Sequence, residues 1–310
     1  MIFSTSPTRS SEAAIDAAHL AKRYRDLLAL ADMTLRVERG VVFGFLGPNG
    51  AGKTTAVKLL LGLARPTHGT GRVLGGPLGD RKSRRRIGYL PELFRYPEWL
   101  TGREVLEFHS ALAVLPHADR KREIDTALDL VGLVDRAGHR VATYSKGMQQ
   151  RLGLAVALLG RPELIFLDEP TSALDPIGRR DVREILADLR ARNTTVFLNS
   201  HLLTEVEKVC NRVAIVQRGR IVADGPLHQL VGSERGLRIR ATCDGVPLRD
   251  VLERFGEVED EPNGALVRGL AHDHVPDVVA ALVTAGARVY SIEPIVQTLE
   301  ERFLETMDAK

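Results

Sequence analysis

Cysteine is scarce: Cys210 and Cys243 are the two present in 310 residues. They are too few for a disulfide framework and lack metal-ligand spacing, so they read as reduced thiols used in packing. Long apolar runs are also missing. The richest stretches, near Leu152 to Leu159 and Val278 to Val283, fall short of the roughly 20 residues a membrane-spanning helix needs. Neither sign of charge dominates, because 43 Lys and Arg stand against 40 Asp and Glu, and this argues against an obligate nucleic-acid binder. The start of the chain, MIFSTSPTRSSEAA, lacks the apolar stretch of a secretory signal and is rich in Ser and Thr. Residues 1–18 are therefore expected to form a disordered tail.

What is present is ordinary globular composition, 44% hydrophobic and 27% charged, over a length that suits one large domain or two modest ones. Short apolar runs at Val41 to Leu46, Leu164 to Leu167 and Thr195 to Leu198 alternate with longer helical patterns, which predicts a largely parallel sheet covered by helices. From about residue 93 to 160 the pattern is helical, with Thr101 and Glu104 forming a capping box ahead of Val105, Leu106, Phe108 and Leu112. Val213 to Val216 and Arg220 to Ala223, joined by a turn at Gly219, predict a hairpin that closes a first domain near residue 232. Residues 233–310 then alternate strand and helix again, as in a small α+β accessory domain. The basic run Arg81 to Arg86 reads as a solvated helix face.

The strongest chemical signal is Gly47-Pro48-Asn49-Gly50-Ala51-Gly52-Lys53-Thr54, which follows an apolar strand and precedes a helix. It satisfies the phosphate-binding pattern GxxxxGK followed by Ser or Thr. Glycines let backbone N–H groups converge on phosphate oxygens, the helix N-terminus adds partial positive charge, and Lys53 brings a full cation to the β and γ phosphates. Thr54 offers a hydroxyl to Mg²⁺, and Thr55 continues the nucleotide-contacting set. After the strand Leu164 to Leu167 come Asp168, suited to hold Mg²⁺ through its water shell, and Glu169, suited to polarise the water that attacks the γ-phosphate.

Just before that strand, Tyr144-Ser145-Lys146-Gly147-Met148-Gln149-Gln150-Arg151 resembles the signature motif of ATP-binding cassette proteins. Ser172-Ala173-Leu174-Asp175 and Ser200-His201 follow in the family's order, and the resemblance covers residues 19–232. It implies an α/β P-loop NTPase fold, with a RecA-like core, a helical subdomain and an antiparallel β region. It also implies ATP and Mg²⁺ as ligands, and ATP hydrolysis as the activity. Ser145, Gly147 and Gln149 would then meet the γ-phosphate held by a second cassette, most simply another copy of this chain. His201 would contact the γ-phosphate and orient water, and Tyr24 either stacks on adenine or belongs to the core. The resemblance further implies a separate transmembrane permease subunit, which places the chain at the cytoplasmic face of the cell membrane.

Two positions depart from the common family pattern. Glu92, in Gly88-Tyr89-Leu90-Pro91-Glu92, stands where many members carry a glutamine that contacts Mg²⁺; a carboxylate can still ligate the ion but cannot donate a hydrogen bond when ionised. Lys146 replaces a common glycine. Near the C-terminus, Ser291 to Pro294 and Leu299 to Leu304 resemble the tails of multidrug, antibiotic, lipid or polysaccharide export cassettes. The alternative to transport is a soluble cassette ATPase acting on ribosomes or DNA. The single cassette and the lack of a long coiled-coil insertion disfavour it.

Overall fold

The computed structural model describes residues 13–308 except 173, 232–233, 244–245 and 271. The chain divides into two units, Met1–Gly225 and Pro226–Lys310. In chain order the first contains β1 (Ile15–Tyr24), β2 (Leu27–Val37), β3 (Val42–Leu46), α1 (Lys53–Leu60), β4 (His68–Val73), β5 (Gly76–Pro77), α2 (Arg81–Arg84) and β6 (Ile87–Leu90). There follow α3 (Gly102–Leu112), α4 (His117–Leu130), α5 (Lys146–Leu158), β7 (Leu164–Asp168), α6 (Pro176–Ala191), β8 (Thr195–Asn199), α7 (Leu203–Val209), β9 (Arg212–Gln217) and β10 (Arg220–Pro226). Its strands lie in the order β5-β4-β1-β2-β10-β9-β3-β8-β7-β6. Strands β9, β3, β8, β7 and β6 run parallel, whereas β5, β4, β1 and β2 form an antiparallel wing.

The expected tail needs correction at its inner end. Residues 1–12 lie outside the described set, as does Ala173, but residues 15–18 open β1, with Ala14, Ile15 and Ala17 buried. Pairing with β2 and β4 on both sides outweighs the polar composition of the preceding segment. The expected boundary at 232/233 also falls outside the described residues. The units part earlier, where Pro226 ends β10 and the short α8 (Leu227–Leu230) begins.

Strands β3, β7 and β8 are buried along their whole length, as expected of parallel strands with both faces covered. Phe197 lies 5.6 Å from Phe43, 5.2 Å from Phe45 and 5.1 Å from Phe166, ring centre to ring centre, tying the three strands together. The capping box of α3 forms as expected, with the Thr101 hydroxyl accepting from the Glu104 N–H at 3.2 Å and the Glu104 carboxylate accepting from the Thr101 N–H at 2.7 Å. Val105 and Leu106 are buried beneath it, but Phe108 and Leu112 are exposed, so the apolar face of α3 is wider than the face it packs. Helix α5 lies close on β6: a Cβ at Gly88 would meet the Ala157 carbonyl oxygen at 2.0 Å. Only glycine allows this approach.

The basic run splits in two. Residues 81–84 form α2, whereas Arg86 turns to Glu163 at the foot of β7, and Arg39, ahead of β3, reaches the same carboxylate at 2.6 Å. Glu163 thus joins the lower ends of three strands.

The second unit continues with β11 (Glu234–Thr242), α9 (Leu248–Leu252), β12 (Glu257–Glu261), β13 (Gly264–Arg268), α10 (Val275–Thr284), β14 (Arg288–Val296) and α11 (Leu299–Asp308). Its four strands are antiparallel in the order β12-β13-β11-β14, a βαββαβ arrangement. Leu237, Ile239, Val267, Leu252, Val278 and Leu282 form its core. Strand β12 escapes sequence reading because it is nearly all acidic; its outward carboxylates pair with Arg238, Arg249 and Arg268.

Hydrogen bonds from Arg86 and then Arg39, opposed by burial, bring the Glu163 carboxyl from its ordinary 4.5 down to about 2. Because the folded-state value is the lower one, this contribution is complete above pH 4.5 and is lost as pH falls towards 2. Allowing for partial exposure, Glu163→Gln is expected to cost about 1–2 kcal/mol at pH 7. Urea unfolding should show this deficit shrinking as the pH is taken below 4.5.

Candidate nucleotide-binding and hydrolytic site

Strand β3 ends at Leu46, and the chain turns through Gly47 to Gly52 before α1 starts at Lys53. Gly52 is the N-cap of α1 with φ of 102°, and a Cβ there would stand 2.4 Å from the Ala29 carbonyl oxygen. No side chain caps α1 and no acidic residue sits in its first turn, so the helix N-terminus keeps its positive end for an anion. The Lys53 ammonium donates to the carbonyl oxygens of Gly47 at 2.7 Å and Pro48 at 3.2 Å. Burial lowers its pKa, while Glu169, Asp168 and Glu92 act in the opposite direction.

This loop forms one wall of a cleft of about 500 Å³. Pro48, Asn49, Gly50, Thr54 and Thr55 line it with Gly47, Gly52 and Lys53, and Glu92, Asp168, Glu169 and His201 face the loop. Ala51 is buried behind the loop, its N–H bonded to the Pro48 carbonyl at 3.2 Å. A second cavity of similar volume, around Glu123, Arg161 and Glu163, carries none of these groups.

Asp168 is the last residue of β7 and Glu169 turns sharply, with φ of 53°, a left-handed conformation uncommon outside glycine. The Glu169 N–H donates to the Asn199 carbonyl at 2.9 Å, which fixes the turn to the end of β8. Glu169 is 7% exposed, and its carboxylate lies 2.8 Å from the His201 Nδ1. The Ser200 hydroxyl approaches its other oxygen at 3.5 Å. Burial raises the Asp168 pKa; the Asn199 hydrogen bond and Lys53 oppose that rise, and the nearby Glu92 and Glu169 add to it. Among the described residues, no cluster of three or more His, Cys, Asp or Glu forms a metal cage. The oxygen donors in the cleft, Thr54, Glu92 and Asp168, instead fit Mg²⁺, which usually keeps waters and substrate phosphates among its ligands.

Other predicted residues lie elsewhere. Ser145, Gly147 and Gln149 do not line the cleft. Ser145 caps α5, its hydroxyl accepting from the Met148 N–H at 3.2 Å, and Gln149 donates to the Tyr144 carbonyl at 3.4 Å. A side chain at Gly147 would touch Leu174 at 3.6 Å, so the signature turn adjoins the segment that Asp175 caps at the start of α6. Tyr24 is 42% exposed under the Lys22 ammonium and is not part of the cleft wall. Leu27, Leu28 and Ala29 are. These three and Asn199 are the lining residues that sequence reasoning missed. The signals were the apolar pair just after Tyr24 and the amide just before Ser200-His201.

The family model described as ABC transporter matches residues 30–172. An ABC transporter ATP-binding protein of Nostoc sp. is 41% identical over 96% of this chain and 90% of its own length. The chain belongs to the ATP-binding proteins of ABC transporters. It is similar to a Nod factor export ATP-binding protein of Cupriavidus pinatubonensis, 35% identical over 84% of this chain and 77% of that one. Among solved structures, a dimeric bacterial ABC transporter cassette superposes with a TM-score of 0.63 at 25% identity, covering 69% of this chain and 98% of that one. This cassette has the P-loop NTPase fold and is the ATP-hydrolysing subunit of a transporter; the ribosomal or DNA-directed alternative is not favoured. Among the described residues, no helix is long and apolar enough to cross a membrane.

Gly52→Ala puts a methyl group against the Ala29 carbonyl and forces a side chain into positive φ. The variant is expected to fold and to bind a fluorescent ADP analogue at least 10-fold more weakly, measured by titration.

Proposed function

We propose that two copies of this chain close over two ATP molecules and, by hydrolysing them, drive export through a separate transmembrane permease subunit at the cytoplasmic face of the membrane. The observation that carries this reading is the division of the parts: Lys53, Asp168, Glu169 and His201 share one cleft, and Ser145, Gly147 and Gln149 stand outside it. A second cassette brings its own capped helix N-terminus to the γ-phosphate and completes the site. The dimeric cassette among the similar structures supports the pairing, and the Nod factor export relative supports the direction. The cassette function is assigned to the first unit, from β1 to Gly225, and the unit that starts at Pro226 to an accessory domain.

The Lys53 ammonium reaches the β and γ phosphates, while Gly47 to Thr55 enclose them. Tyr24 and the exposed Leu27 and Leu28 offer apolar surface to the adenine. Thr54, Asp168 and Glu92 would hold Mg²⁺, which when bound would supply charge neutralisation at the phosphates. Glu169 accepts a proton from the attacking water, and His201, whose Nδ1 lies 2.8 Å from the Glu169 carboxylate, orients it. A bond forms from the water oxygen to the γ-phosphorus and the bond to the β–γ bridging oxygen breaks, giving ADP and phosphate. Most of the acceleration is electrostatic, from Lys53, the cation and the opposing helix N-terminus.

Glu169→Gln should retain ATP binding and lose turnover by a factor on the order of 10² to 10⁴; near-normal phosphate release would overturn the role given to Glu169. Ser145→Arg places bulk and charge in the proposed seam. In sedimentation runs it should abolish ATP-dependent dimers of the Glu169→Gln chain, and persistence of those dimers would remove Ser145 from the interface.

A further inference from the structure

Asn199 is the last residue of β8 and is 2% exposed. It pairs in register with Asp168 at the end of β7, so the two side chains stand beside each other where both strands run out into the cleft. Its amide is used on one side only. The Nδ2 group donates to Asp168 Oδ1, and the Oδ1 atom is buried with no hydrogen-bond partner among the described residues. The orientation of the amide follows from chemistry: an ionised carboxylate only accepts, so the NH₂ must face Asp168. A buried carbonyl oxygen without a donor costs on the order of 1–3 kcal/mol, a cost that a packing role would avoid with an apolar residue of the same shape. Isosteric leucine would fill the space without it.

We propose that Asn199 is a positioning residue for the divalent cation, its NH₂ fixing the Asp168 carboxylate in one rotamer and its free Oδ1 accepting a hydrogen bond from a water of the ion's hydration shell. The inference rests on the reading of Asp168 as a carboxylate that holds that cation. The geometry gives each half of the amide a distinct task. Holding Asp168 Oδ1 leaves Oδ2 as the oxygen available to the ion, and it does so without adding charge to a cleft that already contains Glu92, Asp168 and Glu169. A donor-only side chain could orient Asp168 but offers nothing to a water, and a carboxylate would repel Asp168. An amide meets both needs. The backbone of the same residue accepts from the Glu169 N–H, so one residue braces both carboxylates of the pair, Asp168 through its side chain and Glu169 through its main chain.

The test is Mn²⁺ binding to the full-length chain in the presence of saturating ADP, read from the electron paramagnetic resonance signal of free Mn²⁺. Asn199→Ala, Asn199→Ser and Asp168→Asn are compared with the parent chain. Asn199→Ala is expected to weaken Mn²⁺ binding about 10- to 100-fold, with ADP affinity in the absence of metal within about twofold of the parent. Asn199→Ser, which restores a donor towards Asp168, should recover part of the loss and also serves if the alanine variant does not fold. Parent-like Mn²⁺ affinity in the Asn199 variants, with a large loss in Asp168→Asn, overturns the inference and leaves the Asp168 assignment standing. Parent-like affinity in Asp168→Asn as well overturns both.

Discussion

The contact of Phe197 with Phe43, Phe45 and Phe166 is the constraint on which the site depends. It locks β8 between β3 and β7, and the resulting register places Asn199 level with Asp168 on one side and with Phe45 on the other. The phosphate loop, the acidic pair and the Ser200-His201 step all leave the sheet at this common edge. A one-residue slip of β8 would turn its buried phenyl ring to the other face and carry the amide of Asn199 away from Asp168. Packing of rings in the core is thereby converted into the position of polar groups in the cleft.

The chemistry of the site was largely legible in the sequence, because phosphate binding at a strand–helix junction demands glycines and a lysine at fixed spacing, and such a demand leaves a contiguous signature. The helical subdomain was legible for a similar reason: the Thr101 and Glu104 capping box and the Ser145 cap are local devices. What could not be read was anything set by contacts far apart in sequence. Strand β1 hides behind a polar leader, β12 is acidic because its partners are arginines on other elements, and Arg86 separates from its basic neighbours because Glu163 lies at the foot of the next strand. Asn199 belongs with these. Its significance comes from β7, 31 residues away, and the local string shows only an amide ahead of Ser200-His201.

The left-handed backbone at Glu169 shows the same division. A glycine would relieve the conformation but would remove the carboxylate, so the strain is held by the bond from its N–H to Asn199 and by the close approach of His201. Local preference and tertiary demand disagree at this residue, and tertiary demand wins where the chemistry is placed.

The clasp of Lys53 on the carbonyls of Gly47 and Pro48 joins the two ends of the phosphate loop. The ammonium at the end of the loop is satisfied by carbonyls at its beginning, so a buried charge finds its partners within the turn itself. An ammonium has three N–H donors, and this clasp leaves one of them for an anion. A single side chain thereby closes the phosphate loop into a ring, so that one residue sets both its charge and its curvature.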